Sequence, residues 1–130
     1  MHKLTGNVKL AATVTADSYT EGSSDPSPAE VDIKDSQNVK LFVDAGTVGS
    51  STDGLVVELH GADKSGGTFK QLKDYDGNPA KVTLDAAGNA DIEVYQPPRY
   101  VKAVVTQEST TEDIFGAYIL AGNAETLPLN

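Results

Sequence analysis

The sequence predicts an all-β protein, an antiparallel β-sandwich or jelly roll of about eight or nine short strands. Apolar and polar residues alternate at period two through most of the chain, which is the pattern of strands with one buried face. The candidate strands recur at intervals of about 8–12 residues and are separated by Gly, Asp, Asn, Ser and Pro. No segment between them is convincingly helical, which disfavours a parallel sheet with crossover helices.

The size and charge of the chain disfavour several classes of function. The chain has 130 residues, and we expect a single domain over residues 1–130. It carries 10 Lys and Arg against 19 Asp and Glu, a net charge of −9, which disfavours partners such as nucleic acid or an anionic membrane surface. There is no cysteine, and we identify neither an export signal nor an apolar stretch of membrane-spanning length. Synthesis in the cytoplasm is the simplest interpretation.

The first third of the chain predicts strands and one long connection. Residues 1–7 form a short polar arm before a strand that begins at Val8. Residues 17–28 hold two prolines, one glycine and four serines, which predicts a long polar loop with Tyr19 as its anchor. Two further strands are expected around Val31–Ile33 and Val39–Val43.

The middle of the chain predicts three more strands and a hairpin. Strands are expected at Leu55–His60 and Phe69–Leu72. Lys81–Leu84 and Ala90–Tyr95 are separated by a short turn containing Gly88, so we predict that they pair as a hairpin. Pro97 and Pro98 then end that run, and a new strand is expected over Arg99–Thr106.

The last apolar segment fits two secondary structures. Ile114, Phe115 and Tyr118 fall on one helical face, whereas Phe115, Ala117 and Ile119 alternate as in a strand. Gly116 would weaken a helix by about 1 kcal/mol relative to alanine. We therefore predict a strand.

One acidic segment superficially matches a calcium-binding loop. Asp74, Asp76 and Asn78 alternate, and Asp85 is at the twelfth position. The sixth position, which requires glycine for a sharp turn, is Pro79, and the twelfth is not the bidentate glutamate. A plain hairpin turn explains the segment better, and no metal is expected.

No group of residues predicts catalysis, so we expect that the chain is not an enzyme and has no cofactor. His2 lies in the polar arm, and His60 lies at a strand end with no motif around it. Glu58, Asp91 and Glu93 could pair for glycoside cleavage, but each lies between apolar neighbours, where a solvent-facing charge is ordinary. The absence of tryptophan also weakens sugar stacking.

Four segments together carry a resemblance to a known family. They are Val39–Val43, Gly54–Asp63, Pro98–Thr106 and Gly116–Gly122. Together they resemble small β-rich virion proteins of tailed bacteriophages, most of all the head decoration or cement proteins. The resemblance implies packed antiparallel sheets, attachment to the exterior of the capsid in the virion, and stabilisation of the head against packaged DNA. It also implies the major capsid protein as partner, a homo-oligomer (dimer or trimer), and synthesis in the bacterial host cytoplasm.

Candidate capsid contacts follow from exposure and residue type. Residues in an arm, in a loop or in an arginine–aromatic pair are candidates for a protein interface. The arginine–aromatic pair lies at a strand start, and a role in the fold explains this position equally well. The candidates are Met1, His2, Lys3, Tyr19, Arg99 and Tyr100. Two other functions remain open: a tail or neck component, and a glycan or cell-surface binding module using the loops Asp44–Gly54 and Gly61–Gly67.

The arm offers a direct test. Deleting residues 1–7 is expected to weaken binding to the capsid lattice and to leave the fold intact, because the arm precedes the first predicted strand. Co-sedimentation with heads measures the binding, and circular dichroism measures the fold. Unchanged binding by the truncated protein would refute the role of the arm.

Overall fold

A computed structural model describes residues 8–19, 28–49, 54–107 and 112–122, and these residues form an all-β sandwich. Two antiparallel sheets enclose one apolar core, so the predicted fold class is confirmed. The strands are β1 (Val8–Tyr19), β2 (Val31–Asp32), β3 (Asn38–Thr47), β4 (Leu55–Ala62), β5 (Lys70–Gln71), β6 (Lys81–Leu84), β7 (Gly88–Tyr95), β8 (Tyr100–Gln107) and β9 (Asp113–Gly122).

The four-stranded sheet has the order β1-β9-β3-β7. Its register places Leu41 of β3 opposite Ile119 of β9 on one side and Ile92 of β7 on the other. Because β9 lies between β1 and β3, it joins β1 to the rest of the sheet.

The five-stranded sheet is built around β4. One edge of β4 pairs with β8, which in turn pairs with the short β2. The other edge pairs with β6 over Leu55–Glu58 and with β5 at His60 and Gly61, so β5 and β6 lie end to end beside the same strand.

The core contains the inward row of every long strand with described side chains. Strand β9 contributes Phe115, Ala117, Ile119 and Ala121, each at most 1% exposed. Strand β4 contributes Leu55, Val57 and Leu59 from the opposite sheet. This burial at every second residue confirms that the last segment is a strand, because a helix would not bury positions 115, 117, 119 and 121 together.

The predicted hairpin of Lys81–Leu84 with Ala90–Tyr95 is wrong. Strand β6 pairs with β4 and strand β7 pairs with β3, so the short connection between them crosses from one sheet to the other. Val82 and Val94 are both buried in the common core, which they reach from opposite sheets. The short turn predicted the reversal of the chain but not the sheet that each strand joins.

The long loop begins later than the sequence predicts. Strand β1 continues to Tyr19, and Asp17 and Tyr19 pair with Phe115 and Asp113 of β9, so the start of the predicted loop 17–28 is strand. The aromatic contact between Tyr19 and Phe115, 5.2 Å between ring centroids, extends the strand into the polar segment. The predicted arm 1–7 lies outside the described residues.

Neighbouring residues of β9 give a test of this arrangement. Phe115→Ala is expected to lower the free energy of unfolding by about 3–5 kcal/mol because it removes a buried ring. Ile114→Ala, on the outward row, is expected to cost less than about 1 kcal/mol. Denaturant unfolding measures both, and equal losses would contradict the assigned inward and outward rows.

Candidate functional site

The outward face of the four-stranded sheet carries an apolar stripe, defined here as Phe42, Ile114, Tyr118 and Leu120. Ile114 is 40% exposed and Leu120 is 38% exposed. Phe42 of β3 lies opposite Tyr118 of β9, and their ring centroids are 6.4 Å apart. Between Ile114 and Tyr118 the outward position is Gly116, which is buried and adds no side chain to the stripe.

Charged and polar side chains border the apolar stripe. Lys40 lies opposite Leu120, and Asp44 lies opposite Gly116. On β7, Asp91 and Glu93 extend the outward face beyond Phe42 and Lys40, and the Glu93 carboxylate accepts a 3.0 Å hydrogen bond from Asn38 Nδ2. An apolar centre with a charged border is the usual composition of a protein interface.

Sequence reasoning missed the apolar stripe, although one signal was present. Strand β9 is apolar on both of its rows, whereas a strand with one solvated face has polar residues on the outward row. Ile114 and Tyr118 also fit one helical face, so the sequence pattern did not identify them as the outward row of a strand.

The acidic segment after β5 is a hairpin turn, as predicted. Asp74 Oδ1 accepts hydrogen bonds of 2.9 Å from the backbone N–H groups of Asp76 and Asn78. Gly77 adopts a φ of +85°, which glycine tolerates without strain. Across the described ranges, no group of three His, Asp or Glu side chains is placed to hold a metal ion.

Arg99 and Tyr100 lie together where β2 meets β8. Arg99 Nε and Nη2 donate to the two carboxylate oxygens of Asp32 at 3.0 and 2.9 Å, and this hydrogen bonding raises the pKa of the guanidinium. The same guanidinium lies 5.1 Å from the centroid of the Tyr100 ring. Both side chains of this pair are exposed to solvent, which screens the ion pair, so a partner can displace it at little cost.

The other predicted contact residues do not join this pair. Tyr19 belongs to the other sheet, and its half-buried ring packs on Phe115, which gives it a structural role. Met1, His2 and Lys3 lie outside the described residues. The assignment of all six residues to capsid contact stays a prediction.

A carboxylate and an imidazole form a pair on the outward face of the five-stranded sheet. His60 Nε2 lies 3.0 Å from Glu58 Oε1, a contact that the spacing of two residues on a strand could have predicted. The residues beside His60 in register are Gln71 and Lys102, so the pair faces an amide and a cation rather than a hydroxyl nucleophile.

The carboxylates considered for glycoside cleavage lie on different sheets. Glu58 is on an outward row of the five-stranded sheet, whereas Asp91 and Glu93 are on the outward row of the four-stranded sheet. The core separates the two faces, so Glu58 cannot act on one sugar bond together with either of the others.

Comparison with known proteins adds no relative. No protein-family model matches the chain, and no curated protein shows significant similarity to it. None of the described residues forms a helix long and apolar enough to cross a membrane.

The pKa of Tyr19 predicts that the protein loses stability at alkaline pH. Burial, and secondarily the charge of Asp17, raises this pKa above its usual value, so the folded state holds the phenol proton more tightly than the unfolded state does. The resulting stability is complete below about pH 10 and is lost as pH rises toward the folded-state pKa.

Tyr19→Phe removes this proton linkage. The difference in free energy of unfolding between wild type and Tyr19→Phe is expected to be constant from neutral pH to about pH 9 and to shift against the wild type above about pH 10. Denaturant titrations of both proteins across this range measure the difference. A difference that does not change with pH would contradict the raised pKa.

Proposed function

We propose that this chain is a non-catalytic structural protein of a phage virion, which binds the outer surface of the capsid lattice and stabilises the head. The observation that carries the proposal is the apolar stripe on the outward face of the four-stranded sheet. In a chain with a net charge of −9, an apolar row on a solvated sheet face is a surface for a protein partner.

The stripe also defines the chemistry of the partner. Removing apolar surface from water contributes about 25 cal/mol per Å², so the matching capsid surface needs apolar side chains opposite Leu120 and Tyr118. Asp44, Asp91 and Glu93 on the border are complemented by Lys or Arg on the capsid protein. Nucleic acid lacks this combination of an apolar centre and basic borders.

Each such contact buries little surface and is weak by itself, but the repeated subunits of a capsid allow one copy to make several contacts. A copy that touches two capsid subunits gains effective concentration for its second contact. The arm residues Met1, His2 and Lys3, together with Tyr19, Arg99 and Tyr100, are the candidates for that second contact, and a dimer or trimer would multiply it further. Arg99, directly before β8, and Tyr100, its first residue, lie on the other side of the sandwich from the stripe, so they do not compete with it for the same capsid surface.

Leu120→Glu tests the stripe. The substitution is expected to weaken binding to expanded empty heads by at least about tenfold, because it places a charge in the apolar contact and removes the burial of the 38% of Leu120 that is exposed in the free protein. Co-sedimentation over a range of protein concentrations measures the affinity. Thermal melts establish that the variant is folded.

Thr106→Glu is the matched control, because Thr106 is exposed on the outward row of the opposite sheet. It adds the same charge and is expected to bind like the wild type. Wild-type affinity in Leu120→Glu would reject the stripe as the contact. Failure of the wild-type protein to bind heads at all would reject the capsid function.

A further inference from the structure

A projecting turn presents an aromatic side chain between two acids. Tyr75, at its tip, is 75% exposed, and Asp74 and Asp76 flank it. We call residues 74–78 the Tyr75 turn. It follows β5 and connects to β6, at the side of the sandwich where the turn residues approach Asp91 and Glu93 of the other sheet.

The Tyr75 turn is held in one conformation. The Asp74 N–H donates to the carbonyl of Asn78 at 2.7 Å, and the Asp74 carboxylate accepts two further backbone hydrogen bonds. Lys73 and Pro79 form a bridge at the base. The Tyr75 ring lies 5.8 Å from the Tyr95 ring. Because the turn is already ordered, a partner that binds its tip loses little conformational entropy.

A depression of about 510 Å³ lies at the end of β4. Leu72, Pro98 and Gly61 contribute its apolar part, and Lys64, Lys70 and Asp63 contribute its charges. The volume falls within the range of about 300–1,000 Å³ that is typical of small-ligand sites, so it has room for an aromatic side chain. Lys64 and Lys70 against Asp63 give the lining a net charge of +1, and Glu30 Oε1 accepts a 2.8 Å hydrogen bond from the Gly66 N–H in the adjoining turn.

The depression is not occupied by the Tyr75 turn of the same molecule. The exposed Tyr75 ring packs instead on Tyr95, beside Asp91 and Glu93. We infer that this depression receives the Tyr75 turn of a second copy of the chain, with the ring on the apolar part and the flanking aspartates beside Lys64 and Lys70.

Charge complementarity favours a second copy as the occupant. The turn carries two carboxylates, and the depression carries two ammonium groups and one carboxylate, so a charge of −2 meets a charge of +1. Because the turn and the depression are different surfaces, the contact is head-to-tail, and repetition closes into a ring if the rotation between copies permits. The inference does not rest on capsid binding, since only copies of this chain take part.

Complementation between two defective variants is the sharpest test. Tyr75→Ser removes the ring and leaves the depression intact, whereas Lys64→Glu reverses a charge at the depression and leaves the turn intact. Sedimentation velocity from about 10 µM to 1 mM is expected to show concentration-dependent association of the wild type, weakened at least about tenfold in either variant. An equimolar mixture is expected to form a one-to-one heterodimer and nothing larger, because only one intact contact can form.

Controls separate this contact from general charge effects and from misfolding. Lys81→Glu, at an exposed site on β6, makes the same charge change away from the depression and is expected to associate like the wild type. If Lys64→Glu fails to fold, Lys70→Glu replaces it. A monomeric wild type across the whole range, or a mixture that stays monomeric, would overturn the head-to-tail contact.

Discussion

The position of β9 between β1 and β3 is the constraint on which both the fold and the candidate site depend. Its inward row, from Phe115 to Ala121, fills the core, and its outward row places Ile114, Tyr118 and Leu120 at the surface. Since successive side chains of a strand point to opposite faces, neither row can change face without the other. A register shift of one residue would therefore expose the core and bury the stripe.

Much of the fold follows from the sequence, because alternation is a local property. The strand that contains Phe115, Ala117 and Ile119 was predicted from the spacing of these residues and from the cost of Gly116 in a helix. The partner of each strand is not local: the turn after Leu84 predicts a reversal, but β6 and β7 join different sheets. Side-chain contacts at the surface were harder to predict because they too join distant segments: Arg99 pairs with Asp32, 67 residues away in sequence.

In the proposed capsid role, three surfaces would have separate tasks. The apolar stripe is the proposed face for the lattice, and Arg99 with Tyr100, at the start of β8, is a candidate polar contact. The Tyr75 turn and the depression beside Pro98 are the surfaces that we infer to join neighbouring copies. None of these contacts needs to bury a large area. On a repeating lattice, several weak contacts made at once give a small domain a high overall affinity.

The copy number of this chain relative to the major capsid protein is the most direct test of the proposal that it coats a capsid lattice. Quantitative mass spectrometry of gradient-purified particles measures it, with filled and tail-less heads analysed separately. We expect a number of copies comparable to that of the capsid protein, retained on tail-less heads. A handful of copies lost with the tail, or absence from the particles, would contradict the proposal.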